Sequence, residues 1–139
     1  MKRVDWSEYQ SFWTHGSLHE AIAEKNDARV ASLIASGVDM NRTERGMTAL
    51  HVACERWNVE AVRQLVSNGA NLDAPGPGGW TPLALAVARS TQKGTEIIEI
   101  LVAAGADPDK ASDSGETPRS VARALDANTL SSVQKALEM

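Results

Sequence analysis

Gly46-Met47-Thr48-Ala49-Leu50-His51-Val52-Ala53 is followed, 16 residues after Ala53, by Gly69-Ala70-Asn71-Leu72-Asp73. The pairing returns. Gly79-Trp80-Thr81-Pro82-Leu83-Ala84-Leu85-Ala86 leads to Gly105-Ala106-Asp107, and Gly115-Glu116-Thr117-Pro118-Arg119-Ser120-Val121-Ala122 opens another copy. Thr48 and Thr81 are 33 residues apart, Thr81 and Thr117 are 36 apart, and Leu18 stands 32 before Leu50. Self-similarity at such a period marks stacked supersecondary units, each too small to bury its apolar face alone.

The grammar inside one period is helix, turn, helix, stop. Thr48 suits an N-cap, its hydroxyl able to accept a free amide of the first turn. Trp57-Asn58 marks a turn, and Val59, Val62, Leu65 and Val66 then form the apolar stripe of a second helix. Gly69 ends it as a C′ residue, where a left-handed backbone suits glycine. An earlier copy runs through Leu18-His19-Glu20-Ala21-Ile22-Ala23, breaks at Asn26-Asp27, resumes with Val30, Leu33 and Ile34 at helical spacing, and closes at Gly37.

These phrases resemble the ankyrin repeat, over roughly residues 16–138. The resemblance implies an all-α fold, an ankyrin-repeat solenoid of helix-turn-helix units joined by β-hairpin-like fingers, with an N-terminal capping helix. It divides a single domain, 1–139, into a helical cap over 1–15, repeats over 16–46, 47–79 and 80–115, and a C-terminal capping repeat over 116–139. His51 is the histidine of the family's Thr-Pro-Leu-His phrase, and His19 stands at the equivalent place. The resemblance implies that both hold the turn between repeats by hydrogen bonds. Ala84 and Ser120 replace this histidine in the later copies. Arg119 stands where the family has a buried leucine, which suits a terminal cap with a polar outer face.

Three departures stand out. Trp57 takes the place of the glycine that opens the interhelical turn. Ala86 to Gly105 is 19 residues, which places an insertion at Arg89-Ser90-Thr91-Gln92-Lys93-Gly94-Thr95, expected as a polar loop. Trp6, Tyr9 and Trp13 share a helix face, preceded by an Asp5/Glu8 capping pattern. That segment holds four of the six aromatic residues, suiting an end cap or an aromatic anchor for a partner.

Bulk properties narrow the function classes. The chain has 139 residues, 42% hydrophobic and 23% charged, with a net charge of −4. One soluble domain is the default, and the charge argues against a general nucleic-acid binder. The start, Met1-Lys2-Arg3, leads into no apolar core, so no secretory signal is expected, and no run is long enough to span a membrane. The single cysteine, Cys54, leaves no disulfide framework and suits a cytoplasmic protein. Catalysis needs convergent reactive groups. His15 and His19 have metal-ligand spacing, but Gly16 separates them near a helix start. Cys54 reads as a small buried thiol, and Glu96 and Glu99 as a solvated helix face. Pro75-Gly76-Pro77-Gly78-Gly79 lacks the Lys-Ser/Thr of a phosphate loop. No catalytic, cofactor or metal residue is expected.

Recognition remains. The resemblance implies a concave binding surface formed by fingers and inner helices. On the fingers it comprises Glu44, Arg45, Met47, Pro77, Trp80, Asp113 and Glu116. On the inner helices it comprises Glu55, Arg56, Trp57 and Arg89, flanked by Glu24 and Lys25. Trp residues within a mixed-charge surround suit a protein interface. The expectation is a monomeric, stoichiometric inhibitor of a partner protein, such as an immunity protein neutralising a toxin or secreted effector. The alternative is an adaptor that assembles two proteins without inhibiting either.

Overall fold

The computed structural model describes residues 13–138. The expected helix face of Trp6 and Tyr9 lies outside them. The described residues form eight helices: α1 (Leu18–Ala23), α2 (Asp27–Ala35), α3 (Ala49–Glu55), α4 (Val59–Ser67), α5 (Pro82–Lys93), α6 (Glu96–Ala103), α7 (Pro118–Ala122) and α8 (Ala127–Leu137). Alternate helices form two layers. The inner layer packs α1 on α3, α3 on α5 and α5 on α7, and the outer layer packs α2 on α4, α4 on α6 and α6 on α8. The core between them contains the fully buried Ile22, Leu50, Leu65, Leu83, Ile97, Ile98 and Leu101. Helices of five to twelve residues are too short to be stable alone, so stacking supplies their stability.

The caps fall where the repeated phrases place them. Thr48, Thr81 and Thr117 accept the amides of His51, Ala84 and Ser120 at the starts of α3, α5 and α7. Asn58 caps α4 through Ala61 N, and its amide nitrogen donates to the Ile22 carbonyl at 3.1 Å, fastening the second repeat to the first.

The insertion does not form a loop. α5 continues to Lys93 and spans 12 residues, against 7 for α3. In the first two repeats the inner helix ends at a left-handed residue, Lys25 (φ 56°) or Trp57 (φ 52°). Ser90 occupies that place in the third repeat, stays helical and is buried, its hydroxyl donating to the Val87 carbonyl at 2.5 Å. The helix stops at Gly94, the first residue that readily abandons it.

The connectors between repeats are compact fingers. Glu44 and Met47 exchange two backbone hydrogen bonds of 2.9 Å, the one β-bridge among the described residues. A ladder of side-chain acceptors runs across the finger bases. Asp39 accepts Asn41 N, Asn41 accepts Asn71 N, and Asn71 accepts Asp73 N. Asp73 in turn accepts Asp107 N, Asp107 accepts Asp109 N, and Asp109 accepts Arg119 Nε at 2.9 Å. Short polar side chains at this spacing bond amides two residues on and one repeat on, which leaves no finger to settle its register alone.

Candidate functional site

The repeated histidines sit at the roots of the fingers. His51 is fully buried, and its Nε2 donates to the Trp80 carbonyl at 2.8 Å. A carbonyl only accepts, which assigns the proton to Nε2 and leaves Nδ1 to accept Thr48 N at 3.2 Å. The neutral ring is therefore fully used. Burial holds its pKa below the ordinary histidine value, against the opposing pull of the Trp80 carbonyl. Gly76 lies over the same ring, where an added Cβ would meet Nε2 at 2.6 Å.

His19 repeats half of this arrangement. Its Nε2 donates to the Met47 carbonyl at 2.8 Å, but Nδ1 faces Glu44 Oε2 at 3.2 Å. Burial lowers its pKa too, while the Met47 carbonyl and the Glu44 charge oppose the shift. Trp13 packs beside this ring at a centroid distance of 5.5 Å.

Glu44, expected on the exposed finger surface, is turned inward. Its side chain is 9% exposed, and Oε1 accepts Thr14 N at 2.6 Å. Burial works against its charge, but hydrogen bonds from Thr14 and Ser17 and the adjacent His19 outweigh it and hold the carboxyl below its usual range. Glu44 thus fastens the entry turn to the first finger. Glu20, on α1, holds the same turn to its own helix by accepting Gly16 N at 3.1 Å.

The other expected residues remain at the surface. Arg45, Arg56, Pro77, Arg89, Asp113 and Glu116 are exposed, and Met47, Glu55, Trp57 and Trp80 are half-buried. Glu55 and Arg89 are brought together at 3.7 Å across α3 and α5; both side chains keep 40% or more of their surface in solvent, so the pair adds little stability. The fingers touch in sequence, with Asp113 N donating to the Gly78 carbonyl at 3.0 Å. Trp57 packs partly against the core, which accounts for some of its presence. Its left-handed backbone, which disfavours a side chain by about 1–2 kcal/mol, is not accounted for by packing.

Among the described residues no group of three or more His, Cys, Asp or Glu side chains could hold a metal ion. No described helix is long and apolar enough to cross a membrane. Cys54 is fully buried, and burial raises its pKa far above the ordinary thiol value, so no thiolate is presented.

A family model for ankyrin repeats, in three copies, matches residues 18–122. The chain belongs to the ankyrin-repeat family. Ankyrin repeats are non-enzymatic modules of protein–protein interaction. This ankyrin chain is similar to the nuclear factor NF-kappa-B p105 subunit of Gallus gallus, 38% identical over 95 residues that make up 66% of this chain and 9% of that protein. It is also similar to protein phosphatase 1 regulatory subunit 27 of Mus musculus, 38% identical over 73 residues, 52% of this chain and 46% of that one. Rabankyrin-5 of Homo sapiens is 36% identical over 98 residues, 61% and 8%. The chain spans less than half the length of each of these relatives.

Proposed function

We propose that this ankyrin chain acts by binding a partner protein on its finger and inner-helix face, and that binding inhibits the partner. One observation carries the reading. The residues of the repeated phrases, such as Thr48, Leu50, His51 and Ala53, are buried in the scaffold, whereas Arg56, Trp57, Arg89 and Trp80 keep surface that the scaffold does not use. A tryptophan held at a left-handed turn directly after an exposed arginine, two residues from the Glu55 that pairs with Arg89, has the composition of an interface centre with a charged rim. The stack is rigid before binding, so little entropy is lost on contact. One relative bears the name of a regulatory subunit of a phosphatase, which fits control by docking.

The finer reading is an immunity protein that neutralises a toxin or secreted effector in the cytoplasm. A chain of net charge −4 suits a basic partner, through steering of the encounter. Affinity purification of the full chain, wild type against an Arg56→Glu/Trp57→Ala variant, tests the face. The expected result is a stoichiometric partner that the variant loses and whose activity falls when the wild-type chain is added. Equal recovery by both would remove the face from consideration, and unaltered activity would remove inhibition. The toxin reading stands or falls on whether that partner arrests growth when expressed alone.

A further inference from the structure

We propose that the outer edge of the first finger is a docking groove for a turn of a partner protein that carries an Asp or Asn side chain. The partner turn would be received as each later finger receives the one before it. Of the residues expected on the finger and inner-helix face, only Glu44 borders this surface, and the proposal does not depend on that face.

The register of the ladder carries the inference. In the second and third fingers, the amide two residues after the glycine is bonded by a side chain of the preceding finger. Asn71 N donates to Asn41 Oδ1 at 2.8 Å, and Asp107 N donates to Asp73 Oδ1 at 2.9 Å. The equivalent amide of the first finger is Asp39 N, two residues after Gly37, and among the described residues no acceptor reaches it. The ladder ends differently on the other side. Asp109, the equivalent of Asn41 and Asp73, has its carboxylate taken by Arg119 Nε at 2.9 Å. One end is closed by a residue of the chain, and the other presents an amide donor.

The space beside Asp39 has the size and chemistry for such a turn. A cavity of about 340 Å³ is lined by Leu18, His19, Val38, Asp39, Arg42 and the inward-turned Glu44, among others. Val38 is the large hydrophobic residue most open to solvent among those described, at 36%. An occupant that continued the finger contact would give an oxygen to Asp39 N–H, a negative charge to Arg42 and a small apolar group to Val38. An aspartate in an extended turn meets the first two needs at once, since a charged acceptor strengthens the bond to a backbone amide. A second copy of this chain is a poor occupant, because its matching carboxylate, Asp109, is already held by Arg119.

The test uses the full chain and a linear peptide of residues 69–77, Gly-Ala-Asn-Leu-Asp-Ala-Pro-Gly-Pro, whose aspartate is the one that bonds the next finger. Two-dimensional proton–nitrogen NMR titration is expected to move the amide resonances of Val38, Asp39 and Arg42. The peptide carrying Asp73→Ala is expected to bind about tenfold or more weakly, and so is the wild-type peptide to the full chain carrying Val38→Asp or Arg42→Glu. Val38 and Arg42 are exposed, so an unchanged spectrum elsewhere certifies the fold of each variant. Equal binding of the two peptides, shifts centred away from Asp39, or no shift at all would overturn the proposal.

Discussion

His51 Nε2 lies 2.8 Å from the carbonyl oxygen of Trp80, 29 residues further along the chain. The bond joins the inner helix of one repeat to the last residue of the finger that opens the next. Because Gly76 covers the same ring, the finger closes over the imidazole and excludes water from it. The repeated histidine thus sets the spacing between successive repeats.

Gly76→Ala is therefore expected to destabilise the chain by about 1–3 kcal/mol, the range for forcing a methyl into a filled site. His51→Ala strands a carbonyl and is expected to cost about the same. In the double variant the alanine at 76 no longer meets a ring, so the two losses will not add. Urea midpoints of the four proteins measure the coupling, and fully additive losses would refute the contact.

Acid is expected to loosen the stack before carboxylates begin to titrate. His51 and His19 both have folded-state pKa values below the ordinary value of 6.5, mainly through burial. The unfolded chain then binds more protons than the folded one just below pH 6.5. Their contribution to stability is complete above that pH and is lost as pH falls from 6.5 towards their folded values. Urea unfolding from pH 7.5 to 5.0 should show a falling midpoint, and His51→Gln should flatten the slope.

Asp73→Ala should act locally. It removes the acceptor of Asp107 N, one rung of the ladder, at an exposed position, for about 0.5–1.5 kcal/mol. Hydrogen exchange at the Asp107 amide should accelerate while the Asn71 amide, bonded to Asn41, keeps its protection. Equal acceleration at both would mean that the rungs are not independent.

Removing residues 90–92 should leave the fold intact. The deletion restores the 16-residue spacing of the second repeat and puts Lys93 where Lys25 and Trp57 make their left-handed turns. The three residues belong to the last turn of α5, beyond the length of the matching helix α3, so a stability change within about 1–2 kcal/mol is expected, most of it from the buried Ser90. Circular dichroism should report lower helix content in proportion. Loss of cooperative unfolding would show that the extra turn belongs to the core.

Trp57→Gly separates the scaffold from the site. Glycine relieves the left-handed backbone but gives up the partial packing of the indole, and the two effects oppose each other. Thermal unfolding should shift by only a few degrees. Affinity for the captured partner should fall by about tenfold or more, the loss characteristic of a hot-spot tryptophan. Unchanged affinity in a calorimetric titration would exclude Trp57 from the interface.

The parts of this fold that the sequence discloses are those imposed by backbone geometry and repeated in register. Thr48, Thr81 and Thr117 announce their caps by their repeated register, and the hydrogen bonds of His19 and His51 are implied by the resemblance to the ankyrin repeat. What escapes is decided by contacts between residues far apart. Glu44 reads as a finger-tip charge and is claimed by the Thr14 amide, 30 positions away. The segment 89–95 reads as polar loop, yet nothing before Gly94 stops a helix from propagating. Trp57 is visible as a departure from the repeat, whereas its partial burial depends on the layer behind it. The ladder from Asp39 to Arg119 is spelled in the sequence, but only the stacked fingers show that each rung bonds its neighbour.

Cys54, sealed between the layers with no exposed surface, makes the chain its own clock. A thiol reagent can reach the sulfur only when α3 separates from its neighbours. The rate of labelling therefore counts openings of the central repeat, without any probe having been introduced. A ligand that clamps the inner helices will slow that count, and one that sits at the outer edge of the first finger will leave it nearly unaltered.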